Sequence, residues 1–293
     1  MNFLKKLFGA TPEVPGEEQR AQEARDFDVL KYDGVAALRQ NAYDYAIKCF
    51  DYALDMRDDA ETRDYLAQAL IHANRMPEAF AQLERLAETE PDNVRILLRM
   101  SDVAYMMEDY DAMTDVCERA NAIDSENALV NYSYAKARIG KADVVNAIAL
   151  LSKAVVVAKD TPFYDAYLLR GQTLLRMNEV AAAMRDADFL VDRLPDSEDA
   201  LLLKARCAEA DGDHDTALQT YGAAIELNPF QTDAFRERAV IRMALGDEQG
   251  AAEDLKAVDE LMGDMAEGSD GMDGEEDFVR RVEQSYKSAN PFG

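Results

Sequence analysis

Few side chains in this sequence of 293 residues have the type and spacing to do chemistry. The two histidines stand in separate segments, His72 at the end of a helical pattern and His214 just after the Asp211–Asp213 turn, an exposed position, and the three cysteines, Cys49, Cys117 and Cys207, are equally scattered. Without clustered His or Cys no zinc site is expected. The cysteines read as buried thiols in a reducing compartment rather than as a disulfide framework. There is no G-x-S-x-G, no phosphate-cradling G-x-x-x-x-G-K-[ST] and no Gly-rich turn between strand and helix. With 58 acidic side chains, a pair of carboxylates says nothing about acid–base catalysis. No enzyme activity, cofactor or metal is therefore expected. What remains is recognition. Arginine forks suit carboxylates, and tyrosine offers contact area at low entropic cost. Arg95, Arg99 and Tyr105, followed by Tyr132 and Lys136, supply that chemistry in mid-chain.

The elements that position these residues are short helices. Between Glu198 and Phe230 the pattern reads helix, turn, helix, stop. Asp211-Gly212-Asp213 is turn chemistry, because Gly adopts positive φ freely and Asp bonds its own backbone. Ala217, Tyr221, Ala224 and Ile225 share one face of the second helix. Asn228-Pro229 ends it, since proline lacks an N–H and disfavours helix in the residue before it. The unit recurs. Ala217 has counterparts 34 residues on at Ala251 and 34 back at Ala183. Further back come Ala147 (36 residues), Met113 (34), Ala79 (34) and Ala46 (33). Seven units result, near 27–59, 60–93, 94–127, 128–163, 164–197, 198–231 and 232–265. The extra two residues fall in the Lys159–Pro162 connection, where Pro162 is expected to start the fifth unit's first helix.

A helix–turn–helix period of 34 residues is the signature of tetratricopeptide repeats, and the sequence resembles that family. Gly34 and Gly171 stand at its first-helix Gly/Ala. Ala53, Ala120, Ala154 and Ala224 stand at its second-helix Ala, and Pro91, Pro195 and Pro229 at its closing Pro. Met113 replaces the usual Ala, there is no Trp, and four units lack the closing Pro. The resemblance implies an all-α, right-handed α-solenoid of about seven units, each burying its face against its neighbours. It also implies a concave groove lined mainly by the first helix of each unit. Helical periodicity then places Lys31, Tyr65, Arg95, Arg99, Tyr105, Tyr132, Lys136, Arg176 and Arg206 on the groove side. The expected function is a non-enzymatic scaffold or adaptor that binds a peptide segment or C-terminal tail there, with an acidic segment or terminal carboxylate as the favoured ligand. Some of these cations are equally expected to pair with acids of the array itself. Carboxylate-clamp members of the family give an alternative, a chaperone-associated role. Lys31 matches the first clamp lysine and Arg95 with Arg99 resembles its basic pair, but Val35 and Tyr65 stand where the clamp has asparagines.

The net charge of −26 opposes nucleic acid and anionic lipid over most of the surface. No stretch has the ~20 apolar residues of a membrane span. A soluble, cytoplasmic protein is expected. Residues 1–16 form a peptide and linker in which Phe3, Leu4, Leu7 and Phe8 flank Lys5 and Lys6. This segment is either a plug on the first repeat or a weak contact with the inner face of a membrane, which would make the chain a peripheral regulatory subunit. From Glu17 a charged helix runs into the first repeat. After Met262 the composition turns Gly- and Asp-rich, a linker assigned to 266–274 without calcium-loop spacing. Residues 275–293 then read as an amphipathic helix and tail, which either caps the array or occupies the groove until displaced. The partner and the oligomeric state are not encoded in any motif.

Overall fold

A computed structural model describes residues 17–159 and 161–266. Among them are fourteen α-helices and no strand. They are α1 (Glu17–Arg39), α2 (Tyr43–Met56), α3 (Ala60–His72), α4 (Met76–Thr89), α5 (Val94–Met106), α6 (Tyr110–Ile123) and α7 (Ala128–Gly140), followed by α8 (Val144–Val157), α9 (Tyr164–Arg176), α10 (Val180–Arg193), α11 (Glu198–Asp211), α12 (His214–Leu227), α13 (Thr232–Ala244) and α14 (Glu248–Ala266). The chain divides into two compact bodies, one ending at Thr173 and the other beginning at Leu174. The N-terminal peptide, the 267–274 part of the linker and the 275–293 segment lie outside the described residues.

One backbone device makes all seven turns inside the helix pairs. A residue at positive φ follows each first helix: Asn41, Asn74, Glu108, Ala142, Asn178, Gly212 and Gly246. The next residue's N–H then reaches back to a carbonyl five residues earlier. The bonds are Ala42 to Ala37, Arg75 to Leu70, Asp109 to Ala104, Asp143 to Arg138, Glu179 to Leu174, Asp213 to Ala208 and Asp247 to Arg242, all at 2.8–3.0 Å. This is the Schellman closure, which satisfies carbonyls that a helix end leaves orphaned. Side-chain caps restart several helices. Asp59, Asn93, Asp109, Asn127, Ser197 and Asp213 each accept from a backbone N–H of the first turn that follows.

Packing follows the same period. Ala46, Ala79, Ala147, Ala183, Ala217 and Ala251 are fully buried, and so is Met113 in the place of an alanine. Met113 packs in a small cluster with Ala104, Cys117 and Ala137, edged by Phe80, Tyr110 and Tyr134, where its flexible side chain fits the space. In the first body the main core joins Phe50, Leu66, Leu83, Leu97, Met100 and Val130 across successive helices. Gly34 is needed there, because a Cβ would stand 2.5 Å from the buried Phe50 ring. The first helices of adjacent repeats also meet directly, α1 with α3 and α5 with α7. In the second body Leu202, Ala205, Ala217, Tyr221 and Ile241 pack together. There the buried Asp254 of α14 binds Arg238 (2.6 and 3.0 Å) and Arg242 (2.9 Å) of α13.

Three expectations need correction. Helix α9 starts at Tyr164, not at Pro162: the Phe163 carbonyl accepts from Ala166 and Tyr167, which leaves the proline one residue ahead of the cap. Helix α14 runs through Gly263 to Ala266, past the point where the composition turns linker-like. His214, expected in the open, is half-buried as the first residue of α12, with Nδ1 enclosed.

Candidate functional site

The first helices of the first body carry most of the candidate cations, and their surroundings divide them into two groups. Lys31 on α1 donates to Asp59 (3.0 Å) and Glu61 (2.6 Å) at the start of α3. Burial works against its ammonium, but the bonds to Glu61 and Asp59 prevail and hold its pKa above the usual value. Burial likewise disfavours the Asp59 carboxylate, yet bonds from Thr62 and Lys31 pull it down to about 2. Arg99 on α5 bonds through Nη1 to Asp64 on α3, and its enclosed Nη2 has no acceptor. Lys31 and Arg99 thus tie first helix to first helix.

Arg95 and Lys136 belong to the other group. Arg95 is exposed in the first turn of α5, one turn before Arg99, and has no ion-pair partner among the described residues. Lys136 on α7 lies over the ring of Tyr105 on α5, with Nζ 3.6 Å from the centroid, and 5.9 Å from that of Tyr132. Such contact stabilises an ammonium without neutralising it. Asp102 lies within electrostatic reach but makes no ion pair with Lys136. Its carboxyl is open to water yet hemmed in by protein, so desolvation pushes its pKa up while Lys136 draws it down. Tyr105 keeps 43 % of its surface exposed. Tyr132 packs on Phe163 (centroids 4.9 Å apart), and burial raises its phenol. Lys136 thus joins the rings of Tyr105 and Tyr132 across α5 and α7, while Arg95 stands at the other end of α5.

Tyr65 is placed differently. It stacks on Phe50 (5.8 Å) and donates to Glu61 (3.2 Å), closing one side of a pocket of about 480 Å³. Asp28, Lys31, Tyr32, Arg39 and Glu61 also line this pocket. Lys31 is already bonded there, which leaves Arg39 to face the carboxylates Asp28 and Glu61 in the same lining. In the second body Arg206 holds Glu237 in a two-pronged bond (2.7–3.1 Å), and this bond raises its pKa. Arg176 is exposed and has no ion-pair partner among the described residues. The structure therefore sets Lys136 against Tyr105 and Tyr132, leaves Arg95 exposed roughly 15 Å back along α5 from Tyr105, and binds Lys31, Arg99 and Arg206 to acids of neighbouring repeats. Sequence reading missed Phe163, whose place just after Pro162 and ahead of a helix was the available signal.

Cys49, Cys117 and Cys207 are free and buried. Burial pushes the thiols of Cys117 and Cys207 up to about 11, so neither is a nucleophile at neutral pH. No cluster of His, Cys, Asp or Glu among the described residues could hold a metal ion. No described helix is long and apolar enough to cross a membrane.

Comparison with known proteins bears on the fold first. The chain resembles the C-terminal part of a repeat-containing protein from Cytophaga hutchinsonii (TM-score 0.64, 15% identity, covering 79% of this chain and 95% of that one). It also resembles PilW, a type IV pilus biogenesis factor (0.62, 19%, covering 69% and 92%). A third likeness is to YrrB, described as having an unusual peptide-binding site (0.52, 18%, covering 62% and 93%). At these identities the likeness is one of fold. Among curated proteins, tetratricopeptide repeat protein 36 of Mus musculus and of Homo sapiens are each 38% identical over 104 residues. That alignment covers 36% of this chain, and the chain spans about half the length of these relatives. The tetratricopeptide repeat family model matches residues 33–94, 168–230 and 210–264, together more than half of the chain. Proteins of this kind generally mediate protein–protein interactions. With its all-helical repeats, its seven like turns and its buried alanines at the repeat period, the chain belongs to the tetratricopeptide repeat family.

Proposed function

We propose that this chain is a non-enzymatic interaction module that holds an acidic peptide segment or a C-terminal carboxylate on the first-helix face of its third and fourth repeats. One observation carries the reading. Arg95 and Lys136 have no ion pair to give up among the described residues, and Lys136 stands against the tyrosines Tyr105 and Tyr132. Lys31, Arg99 and Arg206 are already bonded to carboxylates. A ligand carboxylate meeting Arg95 or Lys136 gains a charge-assisted bond without first breaking one. The tyrosine rings add apolar contact from side chains that packing has already ordered. A clamp on Lys31 would have to displace both Asp59 and Glu61, which argues against the chaperone-tail alternative.

The test is capture from native lysate by the full chain beside an Arg95→Glu/Lys136→Glu variant, followed by titration of the captured partner's peptide. Arg99 is left intact because it ties α5 to α3. The expected result is a loss of affinity of at least about tenfold, and weaker binding in high salt, with unchanged circular dichroism. A partner held equally by both proteins, with no dependence on salt, would remove this face from consideration.

A further inference from the structure

The first repeat has one apolar stripe that no described element covers. Tyr45, Tyr52 and Met56 of α2 lie at i, i+7 and i+11, on one side of the helix. Tyr45 and Tyr52 are 57 % and 63 % exposed, and Val29 of the adjoining α1 is 57 % exposed. Asp33, one turn along α1 from Val29, is within electrostatic reach of both Tyr45 and Cys49, which places the α1 edge beside the stripe. This side faces away from the second repeat: the opposite edge of α2, at Ile47 and Leu54, joins the core shared with α3 and α4. The matching positions of α4 are Glu78, Arg85 and Thr89, exposed and polar, so the apolar character of this side is a feature of the first repeat. Here α1 and α2 are the first described helices.

We propose that residues 1–8 of this same chain lie across this stripe and cover it. Apolar pattern, charge and reach agree. Phe3, Leu4, Leu7 and Phe8 supply apolar side chains at helical spacing to match two tyrosines, a methionine and a valine. Lys5 and Lys6 complement a border in which the exposed acids Asp33, Asp44 and Asp55 outnumber the exposed bases Lys48 and Arg25. Helix α1 begins ten residues before Phe27, whose ring lies under the Arg57 guanidinium (3.7 Å) just past the end of α2. Glu17 therefore stands about 15 Å beyond that end. Residues 9–16, extended, span up to about 27 Å, enough to bring residues 1–8 back to the stripe. The segment's two lysines would attract an anionic bilayer, but the acidic border of the stripe would repel one, so a contact within the chain is favoured over a membrane.

The experiment is hydrogen exchange on the full chain, on Leu4→Glu/Phe8→Glu, on Tyr52→Glu and on the three substitutions combined. Tyr52 is exposed, so its replacement leaves the helix able to fold. Either change alone should speed exchange in residues 43–56 about tenfold, with the later repeats unaffected. The combination should add nothing further, because both changes break one contact. Unchanged exchange in both variants, or effects that add in full, overturn the proposal. So does protection of residues 43–56 that depends on protein concentration, which would assign the face to a second copy. Flotation of the full chain with phosphatidylcholine–phosphatidylserine vesicles, abolished by Leu4→Glu/Phe8→Glu, would likewise overturn it in favour of a membrane contact.

Discussion

Ala142→Gly and Gly212→Ala should shift stability in opposite directions by similar amounts. Both residues make the same turn. Ala142 has φ 59° and Gly212 φ 81°, and both closures place an N–H on a carbonyl five residues back at 2.8–2.9 Å. An L-residue in the left-handed region costs about 1–2 kcal/mol, whereas glycine's greater freedom in the unfolded chain costs about 0.5–1 kcal/mol. The difference predicts that Ala142→Gly stabilises by about 0.5–1 kcal/mol and that Gly212→Ala destabilises by as much. Packing does not confuse the second change, because a Cβ at Gly212 would meet nothing within 4 Å. Glu108→Gly should behave like Ala142→Gly. Asn74→Gly should be nearly silent, since asparagine tolerates the left-handed region. Urea unfolding followed by circular dichroism gives the overall change. Hydrogen exchange in residues 128–157 and 198–227 locates it, which matters because repeats can unfold separately. Two changes of the same sign, or a stabilisation by Asn74→Gly as large as that by Ala142→Gly, would refute this account of the turns.

Other outcomes follow from buried charge and burial. The Asp59 carboxyl, held near 2, contributes about 2 kcal/mol that is fully present above the unfolded pKa of about 3.8 and is lost as pH falls through about 2. Asp59→Ala should therefore cost about that much at pH 7, and urea midpoints measured from pH 7 down to 3 should show the gap beginning to close below pH 4. Asp254→Ala strands two arginines in the second body. It should cost about 3 kcal/mol, read as early unfolding of residues 232–262, whereas Lys256→Ala on the same helix, an exposed surface pair, should cost less than about 0.5 kcal/mol. The buried thiols of Cys117 and Cys207 should resist iodoacetamide at pH 8 in the native protein and react in urea. Rapid labelling of either without denaturant would contradict their burial.

The helices were legible because their period is written in small residues. Ala46, Ala79, Ala147, Ala183, Ala217 and Ala251 are all fully buried where helices pack closely, and Met113 takes the same place in a cluster with Ala104, Cys117 and Ala137. The turns were half legible. Gly212 announces itself, but Glu108 and Ala142 adopt the same backbone without a telltale residue, because the closing hydrogen bond belongs to the main chain. Among the candidate residues, Lys136 meets the rings of Tyr105 and Tyr132, side chains that helical phase puts on one side of their helices. Helical phase could not tell a bonded cation from an open one. Lys31 and Arg206 bond acids 28–31 positions away and Arg99 one 35 away, roughly one repeat in each case. A search for opposite charges about one period apart would have flagged all three.

The ion pairs between first helices have a mechanical consequence. Lys31 with Asp59 and Glu61, and Arg99 with Asp64, act as struts between consecutive repeats, set on the same face where a ligand is proposed to lie. A peptide that seats on Arg95 and Lys136 loads that face and leaves the struts intact. A more acidic one that captured Arg99 would release Asp64 and free α5 to pivot away from α3. Stiffness along the first body would then report how far a ligand's charge intrudes, and two ligands of equal affinity could leave the same repeats rigid in one complex and slack in the other.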